Sequence, residues 1–156
     1  MTRKLAVGDR APEFNLEKDG GGTATLASFA GKKLVLYFYP KDDTSGCTKE
    51  AIDFNRLKPQ FSRAKTEIVG VSPDSGKSHD KFKAKHRLGF TLLSDEAKEA
   101  LEAYGVWAEK SMYGRTYMGV ARTTFLIGPD GKIVQVWHKV KVPNHAEEVL
   151  QAARDL

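Results

Sequence analysis

The stretch KKLVLYFYPKDDTSGCTKEAIDF, residues 32–54, passes from an apolar run through turn-forming residues into an amphipathic pattern. Residues 34–39 are all aliphatic or aromatic, which predicts a central strand buried on both faces. The segment from Pro40 to Gly46 is rich in loop and cap formers, so we expect a helix to begin near Gly46. Apolar residues at spacings of three and four predict that this helix continues to residue 63.

Strand and helix patterns alternate through the rest of the chain. Apolar runs predict a second strand over 66–74 and a hairpin over 122–138, turning at a Gly-Pro-Asp-Gly sequence. Helical patterns, the first of them short, occupy residues 24–32, 77–88, 94–106 and 144–156. This order predicts an α/β fold with a mixed central sheet and helices on both faces, in a single domain spanning residues 1–156.

Local signals refine three of these segments. Ser94 precedes acidic residues and is predicted to cap the helix that follows it. Asn144 is followed three residues later by Glu147, the arrangement of a capping box. Residues 107–119, WAEKSMYGRTYMG, are interpreted as an irregular loop of the kind that often borders an active site.

Composition excludes several classes of protein. The net charge of +5 is spread among acids, without the basic stripe of a nucleic-acid module, so no nucleic-acid partner is expected. No apolar run is long enough for a membrane span, and the first residues lack a signal-peptide core, so we expect a cytoplasmic protein without a membrane partner. One cysteine allows no internal disulfide, and no cofactor or metal is expected. Metal-ligand spacing is absent among the histidines, which are interpreted as surface or helix residues: His79, His86, His138 and His145.

The single cysteine, Cys47, falls in the first turn of the helix after the turn-rich segment. Unpaired backbone N–H groups and the positive end of the helix dipole meet there, and both favour a thiolate, the nucleophilic form. Counting back by sevens from Phe61 and Phe54 reaches Cys47, so its side chain should face the protein body. The alternative is a small buried core residue, the commonest role of a lone cysteine.

These residues resemble a known family. Pro40, Thr44 and Cys47 reproduce the Pro-x-x-x-Thr-x-x-Cys signature of peroxiredoxins. The surrounding YFYPKDDTSGCTKEAIDF, with VGDRAPEFNL, GFTLLSD, YGVW and RTTFLI elsewhere, resembles the bacterioferritin comigratory protein, or peroxiredoxin Q, subfamily. The resemblance implies a thioredoxin-like fold and a thiol peroxidase of antioxidant defence, reducing hydrogen peroxide and organic hydroperoxides.

The resemblance also implies roles for residues around the cysteine. The hydroxyl of Thr44 would bond the thiolate and the peroxide, Pro40 would shield the sulfur from water, and Arg122 would complete the pocket. Glu50 would orient Arg122, and the alternative for this residue is a surface acid in the first helical turn. Phe38 is predicted to lie in or behind the same pocket.

The chain lacks the second thiol that would complete the catalytic cycle. Many members carry a second cysteine five residues after the first, where this sequence has Ile52, and residues 77–88 contain no cysteine either. The resemblance is therefore to a 1-Cys type whose sulfenic acid is reduced by an external thiol, such as thioredoxin or glutaredoxin with glutathione. It also suggests a monomer or weak homodimer.

Two other functions are alternatives to the peroxidase. A thioredoxin-type disulfide oxidoreductase would need a Cys-x-x-Cys motif, and Thr44 stands at its first position. A redox sensor would use oxidation of Cys47 as a signal without turnover, and this second alternative stays open at the level of sequence.

Overall fold

The structure is a computed structural model that describes residues 5–156, and it adds strands at 15–18, 23–25, 91–94, 107–112 and 115–120 to those predicted from the sequence. The strands are β1 (Asn15–Lys18), β2 (Thr23–Thr25), β3 (Lys33–Phe38), β4 (Thr66–Ser72), β5 (Thr91–Ser94), β6 (Trp107–Met112), β7 (Arg115–Val120), β8 (Thr123–Ile127) and β9 (Ile133–Trp137). The α-helices are α1 (Ser45–Arg63), α2 (Gly76–His86), α3 (Glu99–Ala103) and α4 (His145–Arg154), and a 3₁₀ helix spans Leu26–Phe29. No helix in residues 5–156 has the length and apolar character to cross a membrane.

Seven of the strands form one mixed sheet in the order β2-β1-β5-β4-β3-β8-β9. Strand β3 pairs in parallel with β4 and antiparallel with β8, so it lies inside the sheet as its continuous apolar sequence predicts. Strands β8 and β9 are antiparallel neighbours, which confirms the predicted hairpin. The mixed sheet is therefore the one expected from the order of the elements.

Both faces of the sheet are covered. Leu34, Leu36 and Phe38 of β3 point to a core cluster that includes Leu101 of α3. The alternate side chains of β3 point to a second cluster formed with α1, α2 and α4. The prediction of helices on both faces is confirmed, and the period-two alternation along β3 assigns its side chains to the two clusters.

The prediction of an irregular loop over residues 107–119 is wrong. Residues Trp107 to Val120 form a separate two-stranded antiparallel hairpin of β6 and β7. Its two-residue turn is Tyr113-Gly114, with φ of 53° and 75° respectively, the positive values that a type I′ turn requires. The turn was missed because Asn or Asp normally precedes the glycine in such turns, whereas tyrosine rarely adopts a positive φ.

The predicted cap at Ser94 is also wrong. Ser94 ends β5, where its backbone is paired with Glu17 of β1 and Ser72 of β4. Helix α3 begins only at Glu99, and the carboxylate of Asp95 accepts hydrogen bonds from the backbone N–H groups of Glu99 at 3.0 Å and Leu101 at 2.8 Å. Because Ser94 is paired within the sheet, the carboxylate of the next residue, Asp95, accepts the hydrogen bonds at the start of the helix.

The capping box predicted at α4 does not form. Asn144 occupies the N-cap position, but its backbone is left-handed, with φ of 62°, and its side chain makes no cap hydrogen bond. Glu147 instead accepts a hydrogen bond from Arg56 of α1 at 2.8 Å. A contact between two helices has therefore replaced a local one, and no sequence signal near Asn144 could indicate it.

Substitution of Gly70 tests the packing at the centre of the sheet. A Cβ atom at Gly70 of β4 would lie 2.9 Å from Cζ of Tyr37 and 3.0 Å from Cδ2 of Leu92. Tyr37 is itself stacked on Phe54, so the ring has little freedom to move away. We expect Gly70→Ala to lower the free energy of unfolding by about 1–3 kcal/mol, measured by chemical denaturation.

The matched control is Gly89→Ala. A Cβ there would lie 3.4 Å from the flexible side chain of Lys58, an ordinary contact. Its effect on the free energy of unfolding should stay within about 0.5 kcal/mol. Equal unfolding midpoints for the two variants would contradict the tight packing around Gly70.

Candidate active site

Cys47 lies in the first turn of α1 with its side chain buried. The helix begins at Ser45, Thr44 is its N-cap residue, and the carbonyl of Thr44 accepts the N–H of Thr48 at 2.8 Å. Cys47 is 2% exposed and belongs to the same core cluster as Phe54 and Phe61 of α1, as the heptad count predicts. The sulfur is therefore both inward-facing and next to the positive end of the helix dipole.

Arg122 bridges the sulfur and a buried carboxylate. Its Nη2 donates to Sγ of Cys47 at 3.3 Å, and its Nη1 donates to Oε1 of Glu50 at 2.6 Å. A guanidinium group is always protonated, and a cation in contact with sulfur stabilises negative charge there. Burial opposes the charge of Arg122, but the negative charges of Glu50 and Cys47 outweigh it, so the pKa of Arg122 lies above its ordinary value.

Glu50 is not the surface acid that the sequence left as an alternative. It is 1% exposed, and its Oε2 has no hydrogen-bond partner among the described residues. Burial raises the pKa of Glu50 from 4.5 to about 7, although the charge and hydrogen bond of Arg122 act to lower it. The carboxyl group therefore changes its protonation close to neutral pH while it holds the arginine.

Sequence reasoning treated Gly46 only as a loop former and missed that it lies against Arg122. A Cβ atom on Gly46 would lie 3.3 Å from Nη2 of Arg122. The absence of a side chain therefore gives the guanidinium room to reach the sulfur across the first turn of α1. A glycine directly before a nucleophile is the signal that could have indicated this close approach.

The other predicted site residues are placed differently. Thr44 is exposed and its hydroxyl donates to the carbonyl of Lys41 at 2.9 Å, so its bond to the sulfur stays a prediction. Pro40 is half-buried, two residues after the end of β3, and its shielding role likewise stays a prediction. Phe38 belongs to the core cluster on the opposite face of the sheet from Cys47, so the structure does not bring it into the pocket.

The β6–β7 hairpin borders this site. Lys110 of β6 is half-buried, and burial together with the positive charge of Arg122 holds the pKa of Lys110 below its ordinary value. The segment interpreted as an irregular loop is thus a hairpin, but its expected position beside the site is the one found. A further cation lies near the arginine as a result.

One cluster among residues 5–156 has the spacing of a metal site: Asp42, Asp74 and His79. Both oxygens of Asp42 and both ring nitrogens of His79 already make hydrogen bonds within the protein. The cluster is therefore a hydrogen-bond network that a metal ion would have to disrupt. Of the histidines interpreted as surface or helix residues, His79 and His145 are helix residues, in α2 and α4, and both are buried. His79 lies three residues before Phe82, on the same helix face, and that spacing was the available signal.

Comparisons with known proteins identify the family of the chain. The chain matches the AhpC/TSA family over residues 7–136. It is 46% identical to peroxiredoxin Bcp of Bacillus subtilis, over 97% of each chain. The fold superposes with a TM-score of 0.93 on PrxQ of Xylella fastidiosa, 42% identical over 99% of this chain and 98% of that one. It superposes with a TM-score of 0.87 on the bacterioferritin comigratory protein of Xanthomonas campestris, 48% identical over 91% and 90% of the two chains.

The fold and these relatives define a thiol peroxidase with a thioredoxin-like fold. The chain belongs to the AhpC/TSA family, and within it to the Bcp and PrxQ peroxiredoxins. The function implied by the signature at Cys47 is thereby confirmed at the level of the family.

The buried carboxyl of Glu50 predicts a pH dependence of stability. Its pKa is higher in the folded protein, so its contribution to stability is present below pH 4.5 and is lost as the pH rises through about 7. Between about pH 5 and 8, we expect the free energy of unfolding of the wild type to fall relative to that of Glu50→Gln, by on the order of 2 kcal/mol. Chemical denaturation at a series of pH values measures this difference.

Glu147→Gln is the control for this experiment. Its hydrogen bond with Arg56 holds the pKa of Glu147 below its ordinary value, so its charge is constant over the same pH range. The stability difference between Glu147→Gln and the wild type should therefore not vary with pH. A parallel pH dependence for wild type and Glu50→Gln would show that Glu50 does not titrate in the folded protein.

Proposed function

We propose that Cys47 is the residue of this thiol peroxidase that attacks the peroxide. The observation that carries the proposal is the contact of 3.3 Å between its sulfur and the guanidinium of Arg122. Burying an arginine costs free energy, and a cysteine that only filled the core would gain nothing from a cation at its sulfur. The helix N-terminus adds further stabilisation of the thiolate.

The reaction is a displacement at oxygen. The thiolate of Cys47 forms a bond to one peroxide oxygen, the O–O bond breaks, and the leaving hydroxide or alkoxide takes a proton to become water or an alcohol. Cys47 is oxidised to the sulfenic acid and the peroxide is reduced. Arg122 is positioned to stabilise the charge that moves from sulfur to the leaving oxygen, because its second nitrogen is fixed by Glu50.

The loop before α1 supplies the remaining contacts in this proposal. The exposed hydroxyl of Thr44 would turn from the carbonyl of Lys41 to bond the bound peroxide, and Pro40 would limit the access of water to the sulfur. Glu50 acts as a positioning residue for Arg122. Phe38 has no role in the pocket, because it faces the other side of the sheet.

An external thiol completes the cycle. The chain has one cysteine, and the side chain at position 52 is an isoleucine that is 42% exposed. The sulfenic acid of Cys47 would be attacked by a thiol with release of water, and a second thiol would then free Cys47 from the mixed disulfide. Thioredoxin, or glutaredoxin with glutathione, has the chemistry to serve as this reductant.

The remaining parts of the proposal concern substrate and setting. The Xanthomonas campestris relative is described for its alkyl peroxide reduction activity, which supports organic hydroperoxides beside hydrogen peroxide as substrates. We place this activity in a cytoplasmic protein of one domain, residues 1–156, acting as a monomer or weak homodimer without cofactor, nucleic acid or membrane.

Replacement of the cysteine tests the proposal directly. Cys47→Ser should abolish peroxide consumption in the presence of a thiol donor, because a serine hydroxyl stays protonated at neutral pH and is a far weaker nucleophile. The steady-state rate of peroxide loss measures the effect. Thr48→Ser, a conservative change at the next residue of α1, is the control and should keep the wild-type rate.

Two outcomes would contradict this proposal. Peroxide turnover that survives in Cys47→Ser would remove Cys47 from the reaction. A single stoichiometric oxidation of the wild type, with no further consumption when thioredoxin, glutaredoxin with glutathione, or a small dithiol is supplied, would instead favour the redox sensor.

The lone cysteine also predicts sensitivity to excess peroxide. No second thiol in the chain traps the sulfenic acid, so further oxidation should give the sulfinic acid, with a mass increase of about 32 Da for two oxygen atoms. Intact-protein mass spectrometry without a reductant measures this product, and Cys47→Ser treated identically should show no such species. A wild-type mass that stops at one added oxygen would mean that the site protects its own sulfenic acid.

A further inference from the structure

His79 of α2 is fully buried, and both of its ring nitrogens have partners. Nε2 lies 2.9 Å from the carbonyl oxygen of Leu93, and Nδ1 lies 2.7 Å from Oδ2 of Asp42. A carbonyl oxygen only accepts, so Nε2 carries a hydrogen, and an ionised carboxylate only accepts, so Nδ1 carries one too. The two contacts together correspond to an imidazolium ring facing a carboxylate.

The carboxylate of Asp42 has two further hydrogen-bond partners. Its Oδ1 accepts a hydrogen bond from the hydroxyl of Tyr39 at 2.6 Å, and its Oδ2 accepts one from the hydroxyl of Ser78 at 2.8 Å. Hydrogen bonds donated to a carboxylate stabilise its negative charge. The side chain of Asp42 is 3% exposed, so His79 supplies the cation that this buried anion needs.

Asp42 belongs to the loop between β3 and α1 that carries Pro40 and Thr44. Its backbone N–H donates to Oδ2 of Asp74 at 2.8 Å, and Asp74 follows β4. The middle of the loop is thus held at its main chain by Asp74, two residues after β4, and at its side chain by α2. Pro40 and Thr44 each lie two residues from this anchored point.

We propose that His79 is a positioning residue for the peroxidase reaction, which fixes the loop before Cys47 through its ion pair with Asp42. This assignment rests on the proposed role of Cys47. Removing His79 would leave the carboxylate of Asp42 buried without its cation, and the loop would shift to reach water. Pro40 and Thr44 would then leave the positions that the peroxide pocket requires, and small displacements of this kind cost rate steeply.

The same helix offers a matched comparison in His86. Its Nε2 lies 3.1 Å from Oδ1 of Asp43, the neighbouring residue of the same loop. The side chain of Asp43 is 46% exposed and also pairs with Lys85. An exposed pair of this kind contributes little, because water and salt screen it. Loss of His86 should therefore leave the loop in place.

The ion pair also sets a pH dependence. Burial acts to lower the pKa of His79, but the hydrogen bond and charge of Asp42, with further contributions from Leu93 and Asp74, raise it above its ordinary value. The groups that face the ring are Asp42 from the loop, Tyr39 after β3, Asp74 after β4 and the Leu93 carbonyl of β5. The pair is therefore complete below the raised pKa of His79 and is lost as the pH rises through it.

Rapid-mixing kinetics of Cys47 oxidation by hydrogen peroxide test the proposal. At neutral pH, H79Q should lower the second-order rate constant by roughly tenfold or more, whereas H86Q should stay within about twofold of the wild type. The ratio of the wild-type to the H79Q rate constant should fall towards one as the pH rises. An effect of His79 on stability alone would not produce that convergence. An H79Q rate constant equal to that of the wild type, or a ratio independent of pH, overturns the positioning role.

A measurement on the wild type guards against an H79Q variant that fails to fold. Nitrogen-15 NMR of the His79 ring should show both nitrogens protonated at neutral pH, and a ring with either nitrogen bare at pH 6.5 overturns the ion pair. The proposed function is tested separately, because peroxide consumption that persists in C47S would overturn it. Complete loss of activity in C47S with unaltered kinetics in H79Q would overturn the positioning role alone.

Discussion

Strand β3 pairs with β4 on one side and β8 on the other, and the active site lies at the edge of the sheet where β3 and β4 end and β8 begins. In this register Phe38 is opposite Thr123. That pairing brings Arg122 next to the loop that leads into α1, although Arg122 and Cys47 are 75 positions apart in the chain. A slip of one residue between β3 and β8 would turn every side chain of the slipped strand to the other face of the sheet.

The site concentrates charge where the protein excludes water. Arg122 holds a carboxylate with one nitrogen and the sulfur of Cys47 with another, and the planar guanidinium fixes the direction of both contacts. Burying Glu50 costs free energy, which is why its pKa rises to about 7. The buried position of Glu50 keeps its carboxylate against Arg122, whereas a solvated glutamate would leave the guanidinium free to move. His79 of α2 likewise pairs with a buried carboxylate, that of Asp42 in the loop before α1.

The errors of sequence interpretation fall where a distant contact displaced a local one. Ser94 pairs within the sheet and does not cap α3. Glu147 bonds Arg56 of another helix and does not form the capping box. The hairpin β6–β7 was missed because its turn uses Tyr113 at a positive φ. Phe38 was predicted in or behind the pocket, yet alternate residues of a strand point to opposite faces, and its side chain lies in the other core cluster from Cys47.

The sequence by itself determined the strands β3, β4, β8 and β9, the start of α1, the inward direction of Cys47 and the family, because these depend on local propensity, on periodicity and on a short contiguous signature. Only the tertiary structure decided that Glu50 is buried, that Gly46 makes room for Arg122, and that His79 meets Asp42. Burial and pairing of charges depend on which strands become neighbours. The packing of the whole chain determines which strands pair, so this pairing cannot be predicted from any single stretch of the sequence.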